Sequence, residues 1–180
     1  DGKYVAFGVF IDGERTIYLL NTEDRSVKKV SVMQDRESII TFSPDGKSIL
    51  YLIQGMDFIN RVHVYNIAED TLTVVYKSSS SIQSITWGMG GGKIAFTSER
   101  DDRNDIYVIN SDGKNEAKLT NESGNYYNLL WPENKGILFF ISAEQDGRKL
   151  SVMDISSRKI KKIELVSEDI LSWSPEVLTR

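Results

Sequence analysis

The sequence predicts an all-β protein, a β-propeller with four repeats of a four-stranded antiparallel blade. Three observations predict it. Aromatic residues recur at Phe42, Trp87, Trp131 and Trp173, at spacings of 45, 44 and 42. Strand-like runs and turn signals keep step with them, and four strands in a period of about 40–45 residues is the sequence signature of a propeller blade. The strands are also apolar on both sides, as in IAFTS and ILFFIS, which a sheet covered on both faces requires. A helical solenoid of similar period would need a 3.6-residue hydrophobic rhythm, and no useful length of the chain has one.

The clearest unit runs from Ile85 to Thr120. Ile85-Thr86-Trp87 reads as a first strand and Gly88 to Gly92 as a turn. Lys93 to Ser98 reads as a second strand and Glu99 to Asn104 as a polar turn. Asp105 to Asn110 reads as a third strand, Ser111-Asp112-Gly113-Lys114 as an Asp-Gly hairpin, and Asn115 to Thr120 as a fourth strand.

Copies of this unit fill the chain. The second strand recurs as Ala6-Phe7, Leu50-Tyr51, Ala95-Phe96 and Leu138-Phe139. The third recurs as Ile17-Tyr18, Val62-His63, Ile106-Tyr107 and Leu150-Ser151, ending at Asn21, Asn66, Asn110 and Asp154. The turn after the first strand is clearest at Ser43-Pro44-Asp45-Gly46-Lys47. The expected blades are 38–76, 82–120, 126–165, and 1–31 completed by 170–175. That last assignment has a specific motive. Ile170 to Pro175 repeats a first strand with nothing after it, while Asp1-Gly2-Lys3 opens in mid-turn. Joining Pro175 to Asp1 writes W-S-P-D-G-K-Y-V-A-F with the register unbroken. The C-terminal strand is therefore expected to complete the N-terminal blade, with Trp173 as its anchor.

Composition narrows the function. A formal charge of −4 and a pI near 5.1 argue against nucleic acid as a partner. Zero cysteines exclude a disulfide framework, a thiolate metal site and a cysteine nucleophile. No apolar run approaches the length of a membrane span. With no initial Met and no signal peptide, the chain is expected to be a mature or excised domain.

The succession W-S-P-D-G-K, an aliphatic-aromatic strand, I-Y-V-I-N, D-G and L-T resembles the TolB-type propeller repeat. It is best matched at residues 41–52, 85–120 and 170–175. Related repeats occur in the propeller domains of prolyl-oligopeptidase-type peptidases. The resemblance implies a periplasmic or extracellular scaffold that binds a partner protein near one mouth of the ring, with no cofactor. It also implies a larger ring, because most propellers of this kind have more than four blades. A closed four-bladed ring and a self-associated, eight-bladed pair stay open. Two further functions also stay open: an accessory, gating propeller of a hydrolase, and a carbohydrate- or small-ligand-binding propeller.

Candidate chemistry is sparse. Gly88-Met89-Gly90-Gly91-Gly92-Lys93 lacks the spacing, the Ser or Thr and the helix of a phosphate loop, and it aligns with the turn at Ser43 to Lys47. His63 is the single histidine and stands where other repeats carry Tyr18 and Tyr107, so a packed strand residue is expected rather than a catalyst. There is no Gly-x-Ser-x-Gly elbow. Asp101 to Asp105 lacks the glycine and distal glutamate of a calcium loop. Asn121-Glu122-Ser123 is a formal glycosylation triplet of little weight.

The connections between second and third strands hold the candidate partner contact. Gln54 to Asn60 is the longest of them and carries Met56, Phe58 and Ile59 where other copies are polar. In a four-stranded meander these connections emerge on the same side as those from fourth to first strand. The eight segments together carry −7 against −4 for the whole chain. An acidic face with an apolar spot is expected, built from Met56, Asp57, Phe58, Arg100, Asp101, Asp102 and Arg103 and suited to a basic protein partner. Phe42, Pro44, Asp45, Gly46, Trp87, Trp131, Trp173 and Pro175 are read as repeat-structural.

Overall fold

In the computed structural model, residues 2–11, 14–33, 39–55, 57–121, 124–133, 135–145 and 147–163 are described. They form fifteen strands and one short 3₁₀ turn, Met89–Gly91. The strands group into two compact units, Asp1–Ser81 with Ser111–Lys114, and Ile82–Asn110 with Asn115–Arg180.

In the first unit, β1 (Tyr4–Ile11), β2 (Glu14–Asn21) and β3 (Val27–Met33) make one antiparallel meander. A second follows with β4 (Ile40–Phe42), β5 (Ser48–Gln54), β6 (Asn60–Asn66) and β7 (Thr71–Ser78). Ile17 and Leu19 of the first sheet pack with Ile49, Tyr51 and Tyr65 of the second. In the second unit, β8 (Ile85–Trp87), β9 (Lys93–Arg100), β10 (Arg103–Asn110) and β11 (Ala117–Lys118) form the third sheet. The fourth is β12 (Asn125–Leu130), β13 (Ile137–Glu144), β14 (Gly147–Asp154) and β15 (Ile160–Ile163). Their shared core runs from Ala95, Ile106 and Leu119 to Tyr126, Leu138, Phe140 and Met153.

Successive residues Ile49, Leu50 and Tyr51 are fully buried, as are Ile94, Ala95 and Phe96. Neighbours on a strand point to opposite faces, so these strands are covered on both sides, as the unalternating apolar runs require.

A cross-strand ring pair repeats with the blades. Phe7 stacks on Tyr18, Tyr51 on His63 and Phe96 on Tyr107, with centroids 5.9, 5.0 and 5.7 Å apart. In the fourth sheet the residue at this position is Phe140, opposite Ser151. The equivalent dipeptide is therefore Phe139-Phe140, one residue later than Leu138-Phe139. The apolar run ILFFI offers two adjacent frames, and only strand pairing chooses between them. The edge strands β3 and β7 share a second device, a bulge. Val62 faces Tyr76 and His63 faces Val74, which leaves Val75 as the extra residue, and the same shift occurs between Ile17 and Tyr18. Bulges twist an edge and interrupt its ladder.

Two boundaries differ from expectation. The fourth strand of the third sheet is only Ala117–Lys118. The six-residue polar turn at Glu99 to Asn104 shrinks to Asp101-Asp102, because the charged flanks Arg100 and Arg103 pair across the ladder. The first sheet has three strands among the described residues, and the expected partner strand at 170–175, with Trp173 and Pro175, lies outside them.

Candidate partner-contact turns

The β5–β6 connection is a built loop. Gln54 and Asn60 close the ladder, and the Gly55 amide donates to the Ile59 carbonyl at 2.9 Å while the Phe58 amide donates to the Gly55 carbonyl at 2.8 Å. Asp57 Oδ1 accepts from the Ile59 amide at 3.1 Å and from Arg61 Nη1 at 3.0 Å. These two bonds, the arginine first, hold the Asp57 carboxyl down to about 2. The arginine also donates to the Ile59 carbonyl, so the ion pair closes over the loop. Glycine at position 55 leaves room for this pair, since a Cβ there would overlap Asp57 Oδ1, stand 2.6 Å from Arg61 Nη1 and push both side-chain ends aside.

The effect is to hold Phe58 outward. Its φ is +60° and it is 84% exposed. A left-handed conformation is unfavourable for a bulky side chain, and such strain persists only where surroundings over-determine it. Met56 lies outside the described residues.

The equivalent β9–β10 turn, in the other unit, is built differently. Asp101 and Asp102 have φ of 52° and 60°, the left-handed pair of a two-residue hairpin, where aspartate is tolerated. Arg100 folds back over its own sheet. Its guanidinium lies 3.9 Å from the Tyr107 ring centroid and donates to Glu116 at 2.6 Å. Arg103, Asp101 and Asp102 are exposed. Farther along the same acidic run, Asp105 is buried, accepting from Thr120 at 2.8 Å and Lys118 at 2.7 Å. It holds the short β11 in place. The structure thus sets Asp57 and Phe58 on one turn of the first unit, and Arg100 to Arg103 on one turn of the second.

Of the residues read as repeat-structural, Phe42, Pro44, Asp45, Gly46, Trp87 and Trp131 are among those described and sit in the sheets and their turns. Ser43 donates to Asp45 at 2.7 Å and the Lys47 amide donates to the same carboxylate, which lowers the Asp45 pKa. Gly46 has a φ of 69°, and Pro44 precedes it in the turn. This turn, with Phe42, Gly2 and Tyr4, lines a cleft of about 240 Å³ in the first unit. In the second unit Trp87 and Trp131 are buried, and the Trp131 ring lies against Gly88, where a Cβ would come within 2.7 Å.

Reading the sequence missed Asn60 and Asn104, which occupy equivalent positions 44 residues apart. Both are buried. The Asn60 side chain donates to the Ser80 carbonyl, and the Asn104 side chain donates to the Tyr126 carbonyl, each at 2.8 Å. They tie third strands to the connections and strands that follow. Their shared spacing was the available signal. Among the described residues, no group of three or more His, Asp or Glu side chains could hold a metal ion, and no helix is long and apolar enough to cross a membrane.

Known proteins of this architecture supply the context. The family model described as TolB beta propeller domain matches residues 1–178. The Tol-Pal system protein TolB of Francisella tularensis subsp. mediasiatica is 24% identical over 168 residues, 91% of this chain and 38% of that protein. The crystal structure of TolB from Acinetobacter baumannii superposes with a TM-score of 0.76 at 18% identity, over 90% of this chain and 41% of that one. A prolyl endopeptidase structure superposes with a TM-score of 0.69 at 16% identity, over 91% of this chain and 25% of that one. This chain therefore spans well under half the length of these relatives. The repeated four-stranded meanders, their register and the match over nearly every residue lead to one assignment: the chain belongs to the TolB beta propeller domain family.

Proposed function

We propose that this chain is a non-catalytic propeller scaffold of the cell envelope that binds a protein partner through its β5–β6 and β9–β10 turns. The observation that carries the proposal is Phe58, an aromatic side chain held outward at 84% exposure by a turn whose backbone strain serves no packing. Exposed aromatic anchors supply a large part of interface energy. Asp57, Asp101 and Asp102 add negative charge around the turns, which favours a basic partner and speeds its approach. By sequence, Met56 adds an apolar residue to the first of these turns and Arg103 a charge to the second. The name of the Francisella relative places that protein in a Tol-Pal system, so a Pal protein is the partner to test.

Calorimetric titration of the purified protein with purified Pal should show binding. Phe58→Gly should weaken it at least about tenfold, a loss of about 1.4 kcal/mol. Reversing Asp101 and Asp102 to lysine should slow association and flatten its salt dependence. Absence of binding at about 100 μM, an affinity near 5–6 kcal/mol, would remove Pal as the partner. Binding that ignores Phe58 and both aspartates would overturn the assignment of the turns.

A further inference from the structure

β6 runs through the middle of the second sheet, and His63 stands on it where the first and third sheets carry Tyr18 and Tyr107. Its ring lies face to face with Tyr51, with centroids 5.0 Å apart and planes within 4°. The residue is 7% exposed, and neither ring nitrogen has a hydrogen-bond partner. Neutral imidazole carries one donor and one acceptor, and charging it makes both nitrogens donors. A proton taken up here would create a buried cation with nothing to accept from it.

The groups around the ring make this worse. Tyr51 of β5 covers one face. Arg61 and Tyr65 share β6 with the histidine, and Lys77 comes from β7; both cations oppose a further positive charge. Two aspartates in the turns of this sheet are already engaged. Asp57 pairs with Arg61, and Asp70 pairs with Lys28 of β3 at 2.7 Å and accepts from Tyr65 at 2.8 Å.

We propose that His63 is an acid-sensitive release built into the second sheet: protonation of its ring parts β6 from β5 and β7 and loosens the turn that carries Phe58. The direction of the effect follows from proton affinity. Burial, then Arg61 and Lys77, holds the His63 pKa down to about 4 from 6.5, whereas the opened strand binds its proton at the ordinary value. The closed sheet keeps its full advantage above pH 6.5. Between there and pH 4 it loses about a factor of ten in the closed-to-open ratio per unit, and below pH 4 no more is lost. The same position in the first and third sheets holds tyrosine, Tyr18 and Tyr107.

Two measurements on the purified protein test this. The first is hydrogen exchange of the β6 amides, with urea unfolding, at pH 6.5 and 4.5 in the wild type and in His63→Tyr. The wild type should lose about 40-fold in the closed-to-open ratio over those two units, and His63→Tyr should lose none of that share. The second is an NMR titration of the wild-type imidazole, which should have its midpoint below pH 5. Equal acid sensitivity of the two proteins, or a midpoint near 6.5 in the folded wild type, would overturn the proposal. If His63→Tyr does not fold, the wild-type titration decides alone.

Discussion

The β5–β6 and β9–β10 turns occupy one repeat position and solve it in opposite ways. In the second unit, Asp101 and Asp102 turn the chain in two residues, and the ladder continues to Arg100 and Arg103 on either side. Strain there is spread over two short polar side chains that tolerate it. In the first unit, Gly55, Asp57 and Arg61 build a wider loop whose strained residue is a phenylalanine in solvent. The first solution is what a sheet needs to reverse direction. The second goes beyond that need, so the difference separates a turn that serves the fold from one arranged to present a side chain.

The framework under both turns should fail first and alike. Tyr51→Ala and Phe96→Ala each remove a fully buried ring from the cross-strand pair and should cost about 3–5 kcal/mol by urea unfolding. Unequal losses would mean that the two sheets do not share one packing scheme. Next in size is Gly55→Ala, whose Cβ must displace the exposed ends of Asp57 and Arg61; it should lower stability by much less than either ring removal, because a surface ion pair contributes little. A smaller effect runs the other way. Phe58→Gly relieves a left-handed residue with no contact to lose, so stability should rise by about 1 kcal/mol. Asp102→Gly should gain less, because aspartate already accepts that conformation. Equal gains in calorimetric melting would erase the distinction between the turns.

The smallest effect concerns acid. Arg61 and the Ile59 amide depress the Asp57 pKa to about 2, so the stabilisation is present above the ordinary carboxylate range and is lost as pH falls from about 4 through 2. Asp57→Asn should therefore melt with a shallower acid limb between pH 4 and 2 than the wild type.

Much of this molecule could be read before folding was considered. Period, turn chemistry and unalternating apolar strands are local properties, repeated four times, and Phe42, Trp87 and Trp131 mark them in the chain. Those signals carry strand order because each meander pairs neighbours in sequence. Site geometry was less legible. Phe58 stood out as an apolar residue among polar turns, yet whether it began a strand or faced solvent depended on where Gln54 and Asn60 closed the ladder. Asp105 read as the first residue of a third strand and the end of an acidic run, with nothing nearby to mark it as buried. It is buried because Lys118 and Thr120, more than ten residues away, return to meet it.

Sequence by itself thus determined the all-β class, the blade period and the positions of the turns, since these rest on backbone propensity and on side chains close along the chain. Tertiary structure alone decided the choice between Phe139 and Phe140 as the ring position, the clamps at Asn60 and Asn104, and the burial of His63 without a partner for either nitrogen. Each of these is a property of register and desolvation. Both are set when a strand finds its neighbour and water leaves the space between sheets, and neither is written in any single stretch of residues.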